Sequence, residues 1–294
     1  MSDRSPPAPA AAAFGRRLLT VTGIDELGAY RVLRVADPGM AGNPSTTPAA
    51  AFDSTARRAP IPGQFAMLAA AERWGGGEDE RPYLARAFSI ARFRDGEAHY
   101  LLEDVGPGTR RLCELRAGDG LWVLGPLGQG FTAPEDQRRA LLVGGGVGIA
   151  PLAILQDELV QEGVPMQVLL GFRDALRAVG AALLRDARVT TDDGSIGPGG
   201  LVTDLLSAEL DRDGHATVYA CGPAPMLEAV RALCAARDVP AQLALEAGMA
   251  CGFGACYGCV VPRRGGGYLR VCVDGPVVDA AELDRVDAHA GAPA

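Results

Sequence analysis

Four cysteines in the last quarter of the chain, Cys251, Cys256, Cys259 and Cys272, follow the spacing C-x4-C-x2-C-x12-C. Three thiols crowded into one short stretch require the backbone to wrap tightly around whatever they hold. The residues between them permit this, because Gly252, Gly254 and Gly258 can take positive φ and bring amide N–H groups close to sulfur. A C-x4-C-x2-C loop with a distant fourth thiolate is a ligand set for a [2Fe–2S] cluster. Four cysteines also suit tetrahedral zinc, although zinc sites usually pair two short knuckles. A disulfide framework fits least. Seven cysteines in a chain that opens without an export signal point to a reducing compartment, the cytoplasm.

A chain of 294 residues has room for two or three domains of about 100–200 residues each. Its composition, 48% hydrophobic and 22% charged, supports a sizeable core. The formal net charge is −8 and no basic run occurs, which argues against nucleic acid and acidic membrane surfaces as partners. No apolar stretch reaches the ~18 residues of a membrane helix. Met1 to Ala13 is Pro/Ala-rich and lacks the basic and apolar regions of a signal peptide, so it reads as a disordered tail.

Between the tail and the Cys run the pattern changes once. Short alternating segments at Arg17 to Gly23, Ala29 to Val35, Gln64 to Leu68, Ala87 to Ala91, Ala98 to Glu103 and Gly120 to Leu124 predict a small antiparallel barrel. Two exposed loops, Pro38 to Pro60 and Trp74 to Arg81, interrupt it. From Gln137 onward strands alternate with helices: Arg139 to Val143, a glycine turn, a helix over Pro151 to Glu162, then strands at Gln167 to Gly171, Arg188 to Thr191, Thr217 to Ala220 and Gln242 to Glu246. That alternation predicts a doubly wound parallel sheet.

Three constellations carry chemistry. Gly144, Gly145, Gly146 and Gly148 lie between a strand and a helix, where backbone amides and a helix N-terminus can meet a pyrophosphate; a plain tight turn is the alternative. Arg86-Ala87-Phe88-Ser89 offers a guanidinium for phosphate, a ring to stack on a planar cofactor and a hydroxyl, or is an ordinary barrel strand. Alternation places Arg86 and Phe88 on one face, so strand twist must bring Ser89 into play. Cys221-Gly222-Pro223 ends an apolar strand, where ligands of open α/β sheets bind. Cys113, Cys234 and the histidines read as structural.

The order of these pieces, with Gly106-Pro107-Gly108-Thr109, Gly125-Pro126-Leu127-Gly128 and Glu246, resembles the ferredoxin-NADP reductase superfamily. Within it, Thr191-Asp192-Asp193-Gly194-Ser195, Val202-Thr203-Asp204 and Val271-Cys272-Val273-Asp274-Gly275-Pro276 resemble the electron-transfer subunits of bacterial dihydroorotate dehydrogenases. The resemblance runs from Phe14 to about Asp279. It implies a tail over 1–13, an FAD-binding β-barrel over 14–134, an NAD-binding domain over 135–245 and a small [2Fe–2S] domain over 246–294. Arg86 would hold FAD phosphate, Phe88 would lie by the isoalloxazine beside Ala87, and Ser89 would reach its N5 region. Leu101, Leu102, Glu103, Gly108 and Thr109 would complete the flavin site. Gly144 to Gly148 would take the NAD pyrophosphate, Cys221 and Glu246 would flank the nicotinamide, and Cys251, Cys256, Cys259 and Cys272 would bind the cluster. The implied partner is an FMN-containing catalytic subunit, two of each forming a heterotetramer that links dihydroorotate oxidation to NAD in pyrimidine biosynthesis. Ala87 stands where that subfamily usually has Pro, Phe88 where it has a small aliphatic residue, and 38–60 is longer than its connection. A reductase subunit of another complex and a zinc-stabilised interaction protein are the other readings. An acid after the second nucleotide-domain strand, Asp174 in Gly171-Phe172-Arg173-Asp174, predicts NAD over NADP.

Overall fold

A computed structural model describes residues 15–38, 59–75, 82–136 and 138–286. The N-terminal tail and most of the two interrupting loops lie outside the described residues.

Six strands close into the antiparallel barrel: β1 (Arg17–Leu27), β2 (Tyr30–Ala36), β3 (Phe65–Ala70), β4 (Arg86–Arg94), β5 (Glu97–Glu103) and β6 (Gly120–Leu127), in spatial order β1-β2-β5-β4-β3-β6. Closure leaves no open edge. Alternate residues Val21, Leu33, Val35, Ala66, Leu68, Tyr100, Leu102, Leu121 and Val123 fill the interior. All six predicted strands form; β2 is shifted by one residue, and β1, β4 and β6 run three or four residues longer because ladder pairing continues past the apolar run. In β3 every residue is buried. Ala66, Leu68 and Ala70 face the barrel core, while Phe65 and Met67 pack with Cys259 and Cys272 of the C-terminal segment.

The helix α1 (Pro107–Cys113) crosses before β6. The second half comprises β7 (Arg139–Gly145), α2 (Ala150–Gln161), β8 (Met166–Phe172), α3 (Ala175–Ala178), β9 (Ala187–Thr191), α4 (Val202–Arg212), β10 (Ala216–Cys221), α5 (Ala224–Ala236) and β11 (Ala241–Ala244). Parallel pairing of β9, β8, β7, β10 and β11 gives the doubly wound sheet. The chain then leaves for the Cys loop and the hairpin β12 (Val260–Pro262) and β13 (Tyr268–Arg270), and returns as β14 (Val277–Asp279), antiparallel to β11. That returning strand was not evident in the sequence. It is three residues long, too short for a period to show. It ties the segment after the Cys loop into the nucleotide-domain sheet.

Barrel and sheet meet along a continuous apolar seam in which Tyr30, Ala91 and Leu101 pack with Ile149, Leu152 and Tyr219. Charges lock the same seam. Asp157 on α2 takes Arg92 and, at 2.7 Å, Arg94 of β4, and Arg185 at 3.0 Å. Arg177 of α3 reaches Glu103 of β5 at 2.9 Å. No helix among the described residues is long and apolar enough to cross a membrane.

Candidate functional site

The cleft between the two halves is a cavity of about 270 Å³. One wall is β4, which contributes Ala87, Phe88 and Ser89, with Leu101 of β5 behind it. A register shift between Ile90 and Arg92 interrupts simple alternation just beyond them. Such a shift increases local twist, the condition the sequence reading set for Ser89 to join its neighbours. The opposite wall is the carboxyl edge of the sheet: Val147, Gly148 and Cys221, then Ala244 to Ala247 and Met249 after β11.

The glycine turn is built by close approach. A Cβ on Gly148 would lie 2.6 Å from the Gly222 Cα, and one on Gly145 would lie 2.6 Å from the Met226 sulfur. Gly146 has φ +55 with open space around it, so its requirement is conformational. The turn therefore seats the start of α2 against the end of β10 and leaves backbone facing the cleft.

Arg86 leans away from the cleft cavity toward α1. Its guanidinium donates to the Leu84 carbonyl at 2.6 Å and lies 5.9 Å from the centre of the Trp74 ring. A Cβ on Gly108 would come within 2.6 Å of its Nε, so a larger residue there would push the guanidinium out of this position. Thr109 Oγ1 is spent on its own turn, accepting from the Val105 and Gly106 amides at 2.9 and 3.0 Å. The Leu102 side chain points into the barrel core, and Glu103 is held by Arg177. These two leave only backbone, or a paired carboxylate, for a ligand.

Cys221 is buried, and burial followed by the Glu246 charge raises its thiol pKa well above the ordinary value. Glu246 opens onto the cleft's solvent, yet the protein packed around its carboxyl raises its pKa by desolvation. Asp174, expected to meet a ribose, is otherwise engaged. It accepts the Arg177 amide at 2.9 Å and pairs with the Arg177 guanidinium at 2.6 Å. The other acids at that edge are Asp192 and Asp193 beyond β9, tied to β8 through Asp192 N–H donating to the Phe172 carbonyl at 2.9 Å; Asp193 Oδ1 accepts the Ser195 amide and hydroxyl at 2.9 and 2.6 Å.

The Cys loop begins two residues after Met249 and lies on the outer barrel face, where a Cβ on Gly252 would meet Met67 at 2.5 Å. Its sulfurs form two pairs. The Cys259 and Cys272 sulfurs stand 3.2 Å apart, and Cys251 hydrogen-bonds the Cys256 side chain. Among the described residues no three Cys, His, Asp or Glu side chains converge on one point. Two pairs match two metal atoms with two thiolates each, as in [2Fe–2S], rather than four thiolates around a single zinc.

Backbone amides complete the fit: Gly254 N–H donates to Cys272 at 3.2 Å and Gly258 N–H to Cys256 at 3.4 Å. Burial acts to raise the Cys251 pKa, but hydrogen bonds from the Phe253 and Cys256 amides, the Cys256 side chain and the Ala255 amide bring it down to about 6. Burial, then the Cys259 hydrogen bond and charge, push Cys272 up to about 12. In cluster-free protein at pH 7, iodoacetamide is therefore expected to alkylate Cys251 before Cys272. Its rate should fall as pH drops through about 6, because only the thiolate reacts. Mass mapping of labelled peptides checks this, and preferential labelling of Cys272 would contradict it.

Comparison with known proteins agrees with this architecture. The iron–sulfur cluster binding domain of dihydroorotate dehydrogenase B matches residues 246–284. Over 231 residues the chain is 38% identical to the dihydroorotate dehydrogenase B (NAD(+)) electron transfer subunit of Caldanaerobacter subterraneus, covering 76% of this chain and 87% of that one. Identity to the Geobacillus kaustophilus subunit of the same name is 40%, over 76% of this chain and 86% of the relative. The chain belongs to the dihydroorotate dehydrogenase B electron transfer subunit family. A solved NADH-dependent reduced ferredoxin-NADP oxidoreductase chain superposes with TM-score 0.73 at 25% identity, covering 92% of this chain and 91% of that one. The ferredoxin reductase of carbazole 1,9a-dioxygenase shares the fold, with TM-score 0.60 at 22% identity over 80% of this chain and 68% of that one.

As a member of this family with the reductase fold, the chain is a flavin and iron–sulfur oxidoreductase subunit whose cofactors are FAD, [2Fe–2S] and NAD. The zinc-stabilised reading is not favoured, and neither is a reductase for another complex. Several residues at the site were not singled out from the sequence: Trp74 beside Arg86, and Phe65, Val147, Met249 and Pro276 in the cleft. Met249 adjoins the Cys run, Val147 lies inside the glycine turn and Pro276 ends the Val271 to Pro276 motif, so these three had a local cue; Trp74 and Phe65 had none.

Proposed function

We propose that this chain carries electrons between NAD(H) and the FMN of a separate catalytic subunit that oxidises dihydroorotate, two copies of each forming a cytoplasmic heterotetramer in pyrimidine biosynthesis. The observation that carries the proposal is continuity. One cleft joins Ala87 to Ser89, Gly148 and Cys221 to Glu246 and Met249, and the chain runs from there directly into Cys251.

When bound, FAD supplies the exchange of an electron pair with nicotinamide and of single electrons with the cluster. The residues hold and insulate. Arg86, beside the Gly106 to Thr109 turn, takes the FAD phosphates. Ala87, Phe88 and Leu101 would pack the flavin ring, the Ser89 hydroxyl would bond its N5 edge, and Leu102 and Glu103 would contribute backbone. Gly144, Gly145, Gly146 and Gly148 present amides to the NAD pyrophosphate. Cys221, kept a neutral thiol by burial, packs against the nicotinamide without adding charge. The Glu246 carboxyl, its pKa raised, holds a proton more readily than an ordinary glutamate.

Among the described residues lining the cleft, only Ser89, Cys221 and Glu246 carry polar side chains. That set offers no cationic side chain to hold the dihydroorotate carboxylate. The isolated chain is therefore expected to reduce ferricyanide with NADH and to leave dihydroorotate untouched. Adding the FMN-containing catalytic subunit should create NAD-linked dihydroorotate oxidation, read as NADH absorbance; turnover by the isolated chain would contradict the division of labour.

Coenzyme choice follows from the same placement. With nicotinamide beside Cys221 on β10, the adenosine half would lie over β8 and β9, the edge that carries Asp192 and Asp193. Replacing both acids with serine is expected to raise relative kcat/KM for NADPH roughly tenfold, the equivalent of about 1.4 kcal/mol of lost repulsion. An unchanged NADH to NADPH ratio in the dye assay would count against it.

A further inference from the structure

Arg270 ends β13, two residues before Cys272, and its side chain folds back over the Cys loop. The guanidinium carbon lies 5.6 Å from the ring centre of Tyr257, which stands between Cys256 and Cys259 with φ 58. One guanidinium nitrogen is 3.3 Å from where a Gly254 Cβ would project, and the Gly254 amide is the one that donates to the Cys272 sulfur. On the other side Asp274 holds the guanidinium, with Nε to Oδ2 at 3.3 Å and Nη2 to Oδ1 at 3.4 Å, and also accepts the Arg270 amide at 2.8 Å. The pair is thus an oriented dipole, its positive end laid against the thiolate loop and its negative end turned toward the chain beyond Cys272.

We propose that Arg270 is a positioning residue whose fixed positive charge raises the reduction potential of the [2Fe–2S] cluster, with Asp274 setting how strongly it does so. The proposal rests on the cluster assignment above. Adding an electron to a cluster already ligated by four thiolates increases its negative charge, so a nearby cation favours the reduced form. Both side chains are about one third exposed, at 33% and 34%, so the interaction is screened but not abolished. Tyr257 fixes the distance, because its ring gives the guanidinium a face to rest on.

The sign of the effect separates this from a merely structural role. Arg270→Gln and Asp274→Asn break the same ion pair, so a purely structural contribution would move the potential the same way in both. Electrostatic tuning moves it in opposite directions. In a dye-mediated redox titration of the loaded protein, followed by electron paramagnetic resonance of the reduced cluster, Arg270→Gln is expected to lower the midpoint. Asp274→Asn should raise it, and Arg270→Lys should restore most of the wild-type value. The expected size for Arg270→Gln is roughly a tenfold fall in the reduced-to-oxidised ratio at fixed poise, about 59 mV for a one-electron couple.

Shifts of the same sign, or no shift with full iron and sulfide content, would overturn the proposal while leaving the cluster assignment standing. Wild-type protein lacking iron and sulfide would overturn the assignment itself. Should Arg270→Gln fail to assemble a cluster, Asp274→Asn decides: an unchanged or lowered midpoint overturns the tuning role, and a raised one supports it.

Discussion

Cys259→Ser is expected to strip iron and acid-labile sulfide from the purified protein and to abolish dihydroorotate oxidation with the catalytic subunit, a loss of at least roughly 100-fold, the scale set by removing about 2.7 kcal/mol or more. NADH-dependent ferricyanide reduction should survive at a substantial fraction of the wild-type rate. Cys259 is buried, its sulfur is 3.2 Å from that of Cys272, and it accepts the Cys272 amide at 3.5 Å. Losing it removes one thiolate of a pair. The flavin wall comes from β4 and β5 instead, so the cleft keeps its shape and dye can still take electrons there. Cys256→Ser should likewise bleach the cluster, although its exposed position makes a weakly bound residue of iron more tolerable. Coupled turnover persisting in cluster-free protein would overturn the proposed electron path.

Arg86→Ala is expected to purify with little FAD and to bind added FAD about 10- to 100-fold more weakly, the range implied by losing a charged hydrogen bond of about 1.5–3 kcal/mol. Its guanidinium is already positioned, held by the Leu84 carbonyl and stacked beside Trp74, so little ordering is needed on binding. The cluster should remain, since the Cys loop packs on Met67 rather than Arg86. Flavin fluorescence titration against iron content checks both halves. Full FAD occupancy in Arg86→Ala would move the phosphate site away from this side chain, and joint loss of cluster and flavin would point to misfolding.

Much of this molecule was legible before any coordinates. Alternation in the first half and the strand, glycine, helix rhythm in the second half each reflect local geometry, a period of two or of 3.6 residues. All six barrel strands and the strands β7 to β11 therefore lie where the pattern put them. The Cys run was equally local, because ligands packed into one loop must be close in sequence.

Other features were settled only by packing. Asp174 looked free to meet a ribose, but Arg177, three residues along, turns it into a cap and an ion pair. Glu103 looked available to a flavin, but Arg177 from the other half of the molecule takes it. Trp74 comes to Arg86, and Arg270 to Tyr257, across separate elements that no period connects. The short β14 finds the edge of the nucleotide sheet because its amides and carbonyls need partners once the chain leaves the Cys loop. The residues alone thus determined which cofactors the chain is equipped to hold and in what order along it, since those signals depend on spacing within one segment. Which side chains remain free to touch those cofactors was decided by the tertiary structure, because pairing between distant charges and rings depends on how the segments are brought together.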